Sequence, residues 1–420
     1  MKRYDTYKPT GIDWIGEVPE TWHLSKMKYI AQYINGYAFK PTDWTDSGLP
    51  IIRIQDLTGT NDNPNYYDGQ IPNKYLIKNG DVLISWAATL DSFVWDRGDA
   101  WLNQHIFKTV VNESEVDKRY FVWLSKVAMS NMNNENKHGI MMEHVTSDIF
   151  DNYCIPIPPL SEQSKIAAYL DERCAGIDKV LATQEKRISL LQELKQSEIK
   201  QAITHGLNPN VTMKDSGVEW IGMVPEHWEV KRIKYTGTFG NGLTYSPNDV
   251  CEEGVLVIRS SNIQGGKLTL EDNVFVNEAP SDLMVKKGDI IICSRNGSAA
   301  LVGKSCYIDE DINATFGAFM MRYKPSINTK YGSYLIQTTI GNYKGLFATT
   351  TINQLTKDML SQMFVPVAPE NEQAEIVKYL DRRCGDIDKE VDLVTKQIEL
   401  LREYKQSFIL EVVTGKRKAY

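Results

Sequence analysis

The segment GIDWIGEVPETW, residues 11–22, returns as GVEWIGMVPEHW at residues 217–228, an offset of 217 − 11 = 206 positions. When the comparison is extended to residues 11–30 and 217–236, ten of the twenty positions are identical. Solenoids and propellers repeat about every 20–50 residues, which is far shorter than this offset. The segment therefore indicates two large copies of one unit within a single chain.

Further matched segments follow in the same order. IKNGDVLIS at residues 77–85 matches VKKGDIIIC at residues 285–293, and residues 162–204 match residues 372–414 at 21 of 43 positions without a gap. We therefore predict two diverged heads, each followed by a similar helical segment. The predicted boundaries are 1–159 for the first head, 160–206 for the first helix, 207–369 for the second head, and 370–420 for the second helix with its basic tail.

The helical segments carry a narrow apolar seam whose members recur at alternating steps of four and three, which is the spacing of a coiled coil. The seam residues of the two copies, in the same register, are Leu170, Cys174, Ile177, Leu181, Gln184, Ile188 and Leu191, and Leu380, Cys384, Ile387, Val391, Val394, Ile398 and Leu401. Gly206 and Gly415 are placed to end the helices. Because one seam needs a partner, we expect the helices to pack as an antiparallel coiled coil, which would give the chain an internal pseudo-two-fold repeat.

The heads contain short β-rich segments separated by Gly, Asn and Asp turns, such as residues 50–57, 80–88 and 105–111. Residues 117–129 have the pattern of an amphipathic helix. The predicted fold class is therefore α+β, with two β-rich α+β domains joined by the two long helices. We expect the tryptophans of the repeated segment, Trp22 and Trp228 among them, to attach each head to its own core or to the helices.

The composition is that of a globular protein: of 420 residues, 42% are hydrophobic and 24% are charged. No apolar run approaches the roughly 18 residues of a membrane span, and no secretory signal is recognisable. The six cysteines form no Cys-x-x-Cys pair, which argues against a zinc cluster or a redox motif. We expect a cytoplasmic protein.

Catalytic motifs are missing from the sequence. Neither a phosphate-binding Gly-x-x-x-x-Gly-Lys loop nor a His-Glu-x-x-His motif is present, and residues 239–242 lack the full glycine pattern of a cofactor turn. The histidines are not retained between the copies: His105, for example, aligns with Thr315. The net charge of −7 argues against a protein that holds nucleic acid through its overall field, so DNA binding would need local basic faces or a partner.

These features together resemble the specificity subunit of type I restriction–modification systems. The resemblance spans nearly the whole chain, and it depends on the order, duplication and spacing of three motif pairs. These are the repeated tryptophan segment, GDVLIS with GDIIIC, and IPIPPLSEQSKIAAYLD with VPVAPENEQAEIVKYLD at the entrance to each helix.

The resemblance implies that each head is a target recognition domain that reads one half of a bipartite site in double-stranded DNA, and that the helices set the gap. It also implies partners: two modification (methyltransferase) subunits that use S-adenosylmethionine to methylate adenine, and restriction subunits that use ATP and magnesium for translocation. The chain itself would be no enzyme, bind no cofactor and contact no membrane. The net charge of −7 would then be compatible with DNA binding, because the methyltransferase subunits would surround the duplex.

Candidate DNA-contacting residues are chosen by chemistry, since base edges are read by Arg, Lys, Asn, Gln, Ser and Thr on loops held by strands. In the first head they are Tyr37, Phe39, Lys40, Arg53, Gln55, Trp86, Asn103, Gln104, His105, Lys137 and His138. In the second head they are Tyr245, Ser246, Arg259, Ser261, Asn262, Arg295, Asn296, Ser298 and Thr350. For each, the alternative is a turn or surface residue, and Gly36 and Gly242 are expected simply to make turns.

Comparison of the copies sharpens this choice. Arg53 and Arg259 are matched, so we expect them to contact phosphate or brace the fold rather than specify sequence. Arg295 and Asn296 align with alanines in the first head and are better candidates for specificity. We expect the basic tail, residues 415–420, to be a solvated chain end, with a contact to DNA phosphate as the alternative. The Glu-Gln pairs that open the helices suit helix capping, with contact to modification subunits as the alternative.

Two other interpretations remain open at this point. The chain could serve a related restriction system whose partner is a fused nuclease–methyltransferase. It could also be a bivalent scaffold that binds protein or glycan through its β-rich heads, to which an aromatic content of 10% would be suited.

Overall fold

The structure is a computed structural model that describes residues 2–60, 63–87, 90–137, 147–343 and 354–419, except for the side chains of residues 134–137 and 147. The chain divides into two compact units. Unit 1 contains Met1–Glu185 and Lys396–Tyr420, and unit 2 contains Lys186–Thr395. Each unit therefore contains one predicted head together with a part of each long helix.

Unit 1 begins with a mixed head whose strands are short. The strands are β1 (Tyr7–Pro9), β2 (Glu17–Pro19), β3 (His23–Lys26), β4 (Ala31–Asn35), β5 (Leu49–Ile52), β6 (Asn65–Tyr67), β7 (Leu76–Ile77), β8 (Val82–Ser85), β9 (Asp91–Val94), β10 (Ala100–Leu102), β11 (Ile106–Val111) and β12 (Cys154–Ile157). The helices are α1 (Met27–Ile30), α2 (Ile54–Thr58), α3 (Lys118–Lys137), α4 (Ser147–Asn152) and the long α5 (Leu160–His205), which continues into unit 2, with 3-10 turns at Pro41–Asp43 and Asn73–Tyr75.

Unit 2 repeats this order. Its strands are β13 (Met213–Asp215), β14 (Met223–Pro225), β15 (Glu229–Arg232), β16 (Gly237–Asn241), β17 (Val250–Cys251), β18 (Val255–Ile258), β19 (Ile263–Gln264), β20 (Lys267–Leu268), β21 (Phe275–Val276), β22 (Ile290–Cys293), β23 (Ser305–Tyr307), β24 (Ala314–Phe316), β25 (Met320–Pro325) and β26 (Phe364–Val367). Its helices are α6 (Thr329–Tyr343), α7 (Lys357–Gln362) and the long α8 (Glu370–Val413), which continues into unit 1, with 3-10 turns at Ile233–Tyr235, Pro247–Asp249, Ser260–Asn262 and Ala299–Leu301.

The two heads share the strand order of one sheet and a parallel strand pair in a second sheet. An antiparallel sheet has the strand order β4-β11-β8-β9 in unit 1 and β16-β25-β22-β23 in unit 2. A second sheet places β10 parallel to β5 in unit 1 and β24 parallel to β18 in unit 2. Finally, β3 pairs with β12, and β15 pairs with β26, just before each long helix begins. The predicted α+β class with two β-rich heads is confirmed.

Each head has its own core, to which both long helices contribute. In unit 1, Trp22, Tyr120 and Phe121 pack in one cluster with Leu170 of α5 and Phe408 of α8. These large side chains lose nearly all contact with water, and burial of this kind is the main stabilising contribution to folding.

The same arrangement forms the core of unit 2, where Trp228, Tyr331 and Leu335 pack with Ile203 of α5 and Leu380 of α8. The head and the helix pair of each unit are therefore parts of one core.

Within each unit the two helix segments run antiparallel, as predicted. In unit 1, Asp178 pairs with Lys405 and Glu185 pairs with Arg402. Residue numbers therefore increase along α5 where they decrease along α8. The predicted seam residues of both helices are buried or half-buried, whereas their neighbours along the helix are mostly exposed.

Each tryptophan that ends the repeated segment is hydrogen-bonded to the first turn of a long helix, which confirms the expectation for these residues. The indole of Trp22 donates to Glu162 Oε2 at 3.1 Å, and the indole of Trp228 donates to Glu372 Oε2 at 3.0 Å. Tyr4 donates a second hydrogen bond to Glu162. The repeated segment therefore joins each head to its helix.

The glutamine that follows has an equally structural role. Gln163 is fully buried; its amide donates to Pro158 O and Glu115 O, and its carbonyl accepts from Asp117 N ahead of α3. Gln373 is matched in unit 2, where it accepts from Asn328 N ahead of α6. Gln163 and Gln373 are therefore used within the chain, whereas the Glu372 side chain is 29% exposed, and contact of the Glu-Gln pairs with modification subunits stays a prediction.

The C-terminal tail is not a solvated chain end. Lys418 N donates to Lys2 O at 3.0 Å, Arg417 lies over the Phe408 ring at 4.8 Å, and Ala419 is only 7% exposed. The hydroxyl of Tyr7 also donates to Gly415 O at 3.0 Å. Our expectation of a free tail is wrong, because the tail packs against the N-terminal segment of unit 1.

Candidate nucleic-acid interface

In unit 1, three loops meet at one edge of the head, where β4, β5 and β10 end. Tyr37 N donates to Leu102 O at 2.8 Å, and Asn103 N donates to Ile52 O at 3.2 Å. Tyr37 and Asn103 also form an isolated β-bridge. The loop after β4 is thereby held against the turn Asn103–His105 that leads into β11.

Glycine is required in the loop after β4 because of a close backbone approach, not merely because the chain turns. A Cβ atom added to Gly36 would lie 2.0 Å from Asn103 O. In unit 2, a Cβ atom added to Gly242 would lie 2.1 Å from Gly317 O. Backbones this close leave no room for a side chain, so the Asn-Gly pairs set the position of the loop in both heads.

Aromatic side chains line this edge in unit 1. The rings of Tyr37 and Phe39 meet edge to face at 4.9 Å, and Phe39 reaches Tyr67 and Tyr37 reaches Tyr75 at 5.2 and 5.4 Å. These rings are half-buried, whereas the neighbouring Lys40 is exposed. Such pairs hold rings in fixed orientations, and the faces that remain open are available for stacking.

Polar groups of unit 1 collect beside this aromatic cluster. Trp86, just after β8, stacks on Phe107 at 5.8 Å and meets the His105 ring at 5.5 Å. The amide of Gln104 contacts His105 Nε2 at 3.2 Å. The structure therefore brings the predicted residues Trp86, Gln104 and His105 together, with His105 exposed and Gln104 half-buried.

Unit 2 builds the same edge with different side chains. Leu243 and Gly317 form the bridge that corresponds to Tyr37 and Asn103, and Gly317 N donates to Ile258 O at 3.0 Å. Arg295, just after β22, lies with its guanidinium carbon 5.3 Å from the centre of the Phe319 ring. Phe319 directly precedes β25, as His105 directly precedes β11. These two strands pair in the same register within their sheets, so Phe319 occupies the position of His105.

The residues of both heads match a family of known proteins. A family model described as "Type I restriction modification DNA specificity domain" matches residues 19–200 and again residues 225–401. The chain belongs to the type I restriction–modification specificity subunits.

Full-length relatives agree with this assignment. The chain is 26% identical to the type I restriction enzyme EcoBI specificity subunit of Escherichia coli over 97% of this chain and 89% of that protein. It is also 26% identical to the MjaVIII specificity subunit of Methanocaldococcus jannaschii over 95% of this chain and 93% of that protein.

One solved structure, from a study of complex assembly and conformational transition of the type I R-M system, matches with a TM-score of 0.70 at 16% identity, covering 94% of this chain and 98% of that one. At this identity the match concerns the fold.

The matched arginines of this specificity subunit are engaged within their own heads. Arg53 lies 4.5 Å from the centre of the Trp44 ring. Arg259 donates to Asp272 O and pairs with Asp272 Oδ2 at 2.9 Å. Of the two roles expected for them, bracing of the fold is the one that these contacts provide.

The prediction that Asn262 contacts DNA is wrong, because this side chain does not face the edge. Its side chain is fully buried; the amide donates to Thr269 O and Glu271 O, and the carbonyl accepts from Arg259 N at 3.0 Å. A buried amide with these partners cannot reach a base, so it holds the loop after β18.

The remaining candidates of unit 2 are partly engaged in their own loops. Ser246 Oγ donates to Asp249 Oδ2 at 2.9 Å, and Asn296 donates to Ser260 Oγ at 2.8 Å while accepting from Ser298 N. Ser261 and Ser298 are exposed, as is Gln55 at the position of Ser261 in unit 1, and Tyr245 is half-buried.

Three candidates cannot be placed. His138 and Thr350 lie outside the described residues, and Lys137 ends α3 but its side chain lies outside the described part of the structure.

Phe319 is the residue that sequence reasoning missed. It is 59% exposed and lies beneath the Arg295 guanidinium at the edge of unit 2. The sequence comparison aligned His105 with Thr315, whereas the strand register pairs it with Phe319. An alignment of the two heads that matched β11 with β25 in this register would have identified Phe319.

Cys293 lies beneath the edge of unit 2, and burial raises the pKa of this thiol, which keeps it protonated. No cluster of three or more His, Cys, Asp or Glu in the described ranges could hold a metal ion. In the same ranges, no helix is both long and apolar enough to cross a membrane.

Proposed function

We propose that this chain reads a bipartite DNA target within a type I restriction–modification complex, with one half-site for each head. The chain carries no chemistry of its own in this proposal. Methyltransferase subunits would bind S-adenosylmethionine and modify adenine, and restriction subunits would use ATP and magnesium. The whole would act as a cytoplasmic complex on double-stranded DNA.

The observation that carries the proposal is that both heads present the same backbone edge with different side chains. The edge is defined by the same bridge and the same close glycine contact, Gly36 against Asn103 O and Gly242 against Gly317 O. At this edge His105 in unit 1 is replaced by Phe319 in unit 2. A common frame with exchanged side chains is what a protein needs to read two different sequences.

The side chains at the edge suit readout of base edges and stacking. Gln104 can pair with adenine N6 and N7, and Arg295 offers the donors that guanine accepts. Lys40 and the aromatic rings beside it suit contacts with the sugar–phosphate backbone, which position the protein without reading sequence.

The charge of the chain requires a partner for tight binding. A net charge of −7 leaves few phosphates that this subunit alone could neutralise. We therefore expect the isolated chain to bind DNA weakly, with affinity falling steeply as salt rises. Tight site-specific binding by the isolated chain in moderate salt would contradict this part of the proposal.

Sequencing of methylated bases in a host that carries this gene with its methyltransferase gene tests the proposal. The wild-type complex should methylate adenine in two short motifs separated by a gap of fixed length. The double variant Gln104→Ala/His105→Ala should relax only the motif read by unit 1. As a control, Glu193→Ala on the exposed face of α5 should leave both motifs unchanged. A single undivided motif, or equal loss in both halves, would contradict the assignment of one half-site to each head.

A further inference from the structure

Arg295 has a fixed backbone position at the edge of unit 2. Its N–H donates to Phe319 O at 3.2 Å, and the residue forms a β-bridge with Gln354. The preceding Ser294 is buried and donates to the same carbonyl from both its N–H and its hydroxyl, each at 2.9 Å. The Cα atom of Arg295 is therefore held by β22 and by the turn that precedes β25.

The loop after Arg295 is also braced. Asn296 Nδ2 donates to Ser260 Oγ at 2.8 Å, and Asn296 Oδ1 accepts from Ser298 N at 3.0 Å. These bonds use the Asn296 amide within the protein, whereas the adjacent Arg295 is exposed. Of the two unmatched residues at this site, Arg295 is therefore the one available to a ligand.

The Arg295 side chain is supported on one face only. Its guanidinium carbon lies 5.3 Å from the centre of the Phe319 ring, within the range of a cation–π contact. Arg295 is exposed, and its guanidinium forms no hydrogen bond or ion pair with any other described residue. A planar group that rests on a ring, and whose donors pair with no residue in the described ranges, is suited to a planar acceptor.

No arginine stands at this position in unit 1. The equivalent residue is Ala87, which is 4% exposed and offers no donor. Every DNA half-site has phosphates, so a phosphate contact would be equally useful in both heads. A group present in one head alone is instead suited to a base that occurs in one half-site alone.

The donor pattern of an arginine side chain also favours one base. An arginine fork matches the two acceptors O6 and N7 that guanine displays in the major groove, whereas adenine displays a donor beside N7 and cytosine displays a donor at N4. On the proposed function, we infer that Arg295, supported by Phe319, recognises a guanine in the half-site read by unit 2.

The test uses the complex of this chain with its methyltransferase subunits and duplexes that carry the target found by methylation sequencing. Each guanine of the second half-site is replaced singly by 7-deazaguanine, which lacks the N7 acceptor, and the dissociation constant is measured. One replacement should weaken binding about tenfold or more for the wild-type complex. The Arg295→Ala complex should bind the unmodified duplex with a similar loss and be insensitive to that replacement.

A matched control is available in the same unit. Arg232 is exposed and lies over the Phe364 ring at 5.6 Å, away from the edge where the loops meet. Arg232→Ala should keep the wild-type sensitivity to 7-deazaguanine. Arg295→Lys should also fold, and it should recover only part of the discrimination because a single ammonium group cannot match both acceptors.

Three results would overturn the inference while leaving the bipartite function in place. They are a second half-site without guanine, wild-type binding that tolerates every 7-deazaguanine, and an Arg295→Ala complex that stays sensitive to the replacement. An equal loss on all duplexes with a smaller salt dependence would identify a phosphate contact and would also overturn it. Failure of the proposed function is distinguishable, since the wild-type complex would then prefer no bipartite duplex at all.

Discussion

At the scale of single residues, the most informative feature is the glutamate in the first turn of each long helix. Glu162 accepts hydrogen bonds from the Trp22 indole and the Tyr4 hydroxyl, and it is 7% exposed. Glu372 accepts from the Trp228 indole and from His227. The tryptophan donor is common to both copies, whereas the second donor is Tyr4 in unit 1 and His227 in unit 2. The contact between head and helix therefore has the same position in both units.

Glu162→Ala should destabilise unit 1 by about 2 kcal/mol, because the buried Trp22 indole and the half-buried Tyr4 hydroxyl would lose a charged acceptor. Urea unfolding followed by tryptophan fluorescence measures this loss. The exposed Glu193→Ala variant should lie within about 0.5 kcal/mol of the wild type. Equal stability of the two variants would mean that the Trp22–Glu162 bond does not support the fold.

Tyr323 gives a second prediction at this scale. It is fully buried with its hydroxyl against Thr236, and burial raises its pKa to about 12. The folded state therefore holds the phenolic proton more tightly than the unfolded state, so stability is lost as pH rises above about 10. Between pH 10 and 12 the stability advantage of the wild type over Tyr323→Phe should shrink by about 1.4 kcal/mol per pH unit. A constant difference across this interval, measured by urea unfolding, would contradict the prediction.

At the scale of elements, the antiparallel helix segments combine a thin apolar seam with pairs of charged residues beside it. In unit 2, Glu198 of α5 accepts from the Tyr379 hydroxyl at 2.6 Å and from two nitrogens of Arg383 at 3.2 Å. The hydrogen bond from Tyr379 lowers the pKa of Glu198; partial burial opposes this effect and Arg383 adds to it. In unit 1, the corresponding part of α8 carries the buried Phe408 instead.

Glu198→Gln should destabilise the chain by about 1 kcal/mol at pH 7, because the charged acceptor of three hydrogen bonds is lost. Because the pKa of Glu198 is lowered on folding, its contribution to stability is present above about pH 4.5. That contribution disappears as pH falls through the pKa of Glu198 in the folded state. The difference between wild type and variant in urea unfolding should therefore shrink below pH 4.5. Glu185 pairs with Arg402 in a more exposed site, where the two side chains are 52% and 60% exposed. Glu185→Gln should therefore lower the free energy of unfolding by less than Glu198→Gln at pH 7.

At the scale of the whole molecule, the chain termini meet inside unit 1. The tail after α8 packs against residues at the start of the chain, through Lys418 N to Lys2 O and through the buried Ala419. In unit 2, the corresponding stretch after α5 continues directly into β13. The tail therefore completes in unit 1 a connection that the continuous chain provides in unit 2.

Deletion of residues 416–420 should loosen the N-terminal hairpin of unit 1. Backbone amides of β1 and β2 should exchange hydrogen faster, since the packing of the tail against this segment is lost. The matched hairpin of β13 and β14 is an internal control and should exchange as in the wild type. Unchanged exchange in β1 and β2 would show that the tail contacts are not stabilising.

Much of the architecture and part of the candidate site follow from the sequence. The duplication, the two long helices with their seam and the β-rich heads are visible because they depend on periodicity and on comparison of the chain with itself. These features depend on neighbours that are close in sequence or related by the repeat. Trp86, Gln104 and His105 could be chosen from the sequence by their chemistry and their place on loops next to strands, but their convergence at one edge of the head could not.

The tertiary structure alone decided how individual polar and aromatic side chains are used. Asn262 has the chemistry of a base reader but is buried, whereas Phe319 lies exposed beneath Arg295. Glu162 bonds to a tryptophan 140 positions away. The physical reason is that burial and hydrogen-bond partners are set by contacts between distant segments. The sequence by itself therefore determined what kind of molecule this is, and only the packed chain determined which of its polar groups remain free to meet DNA.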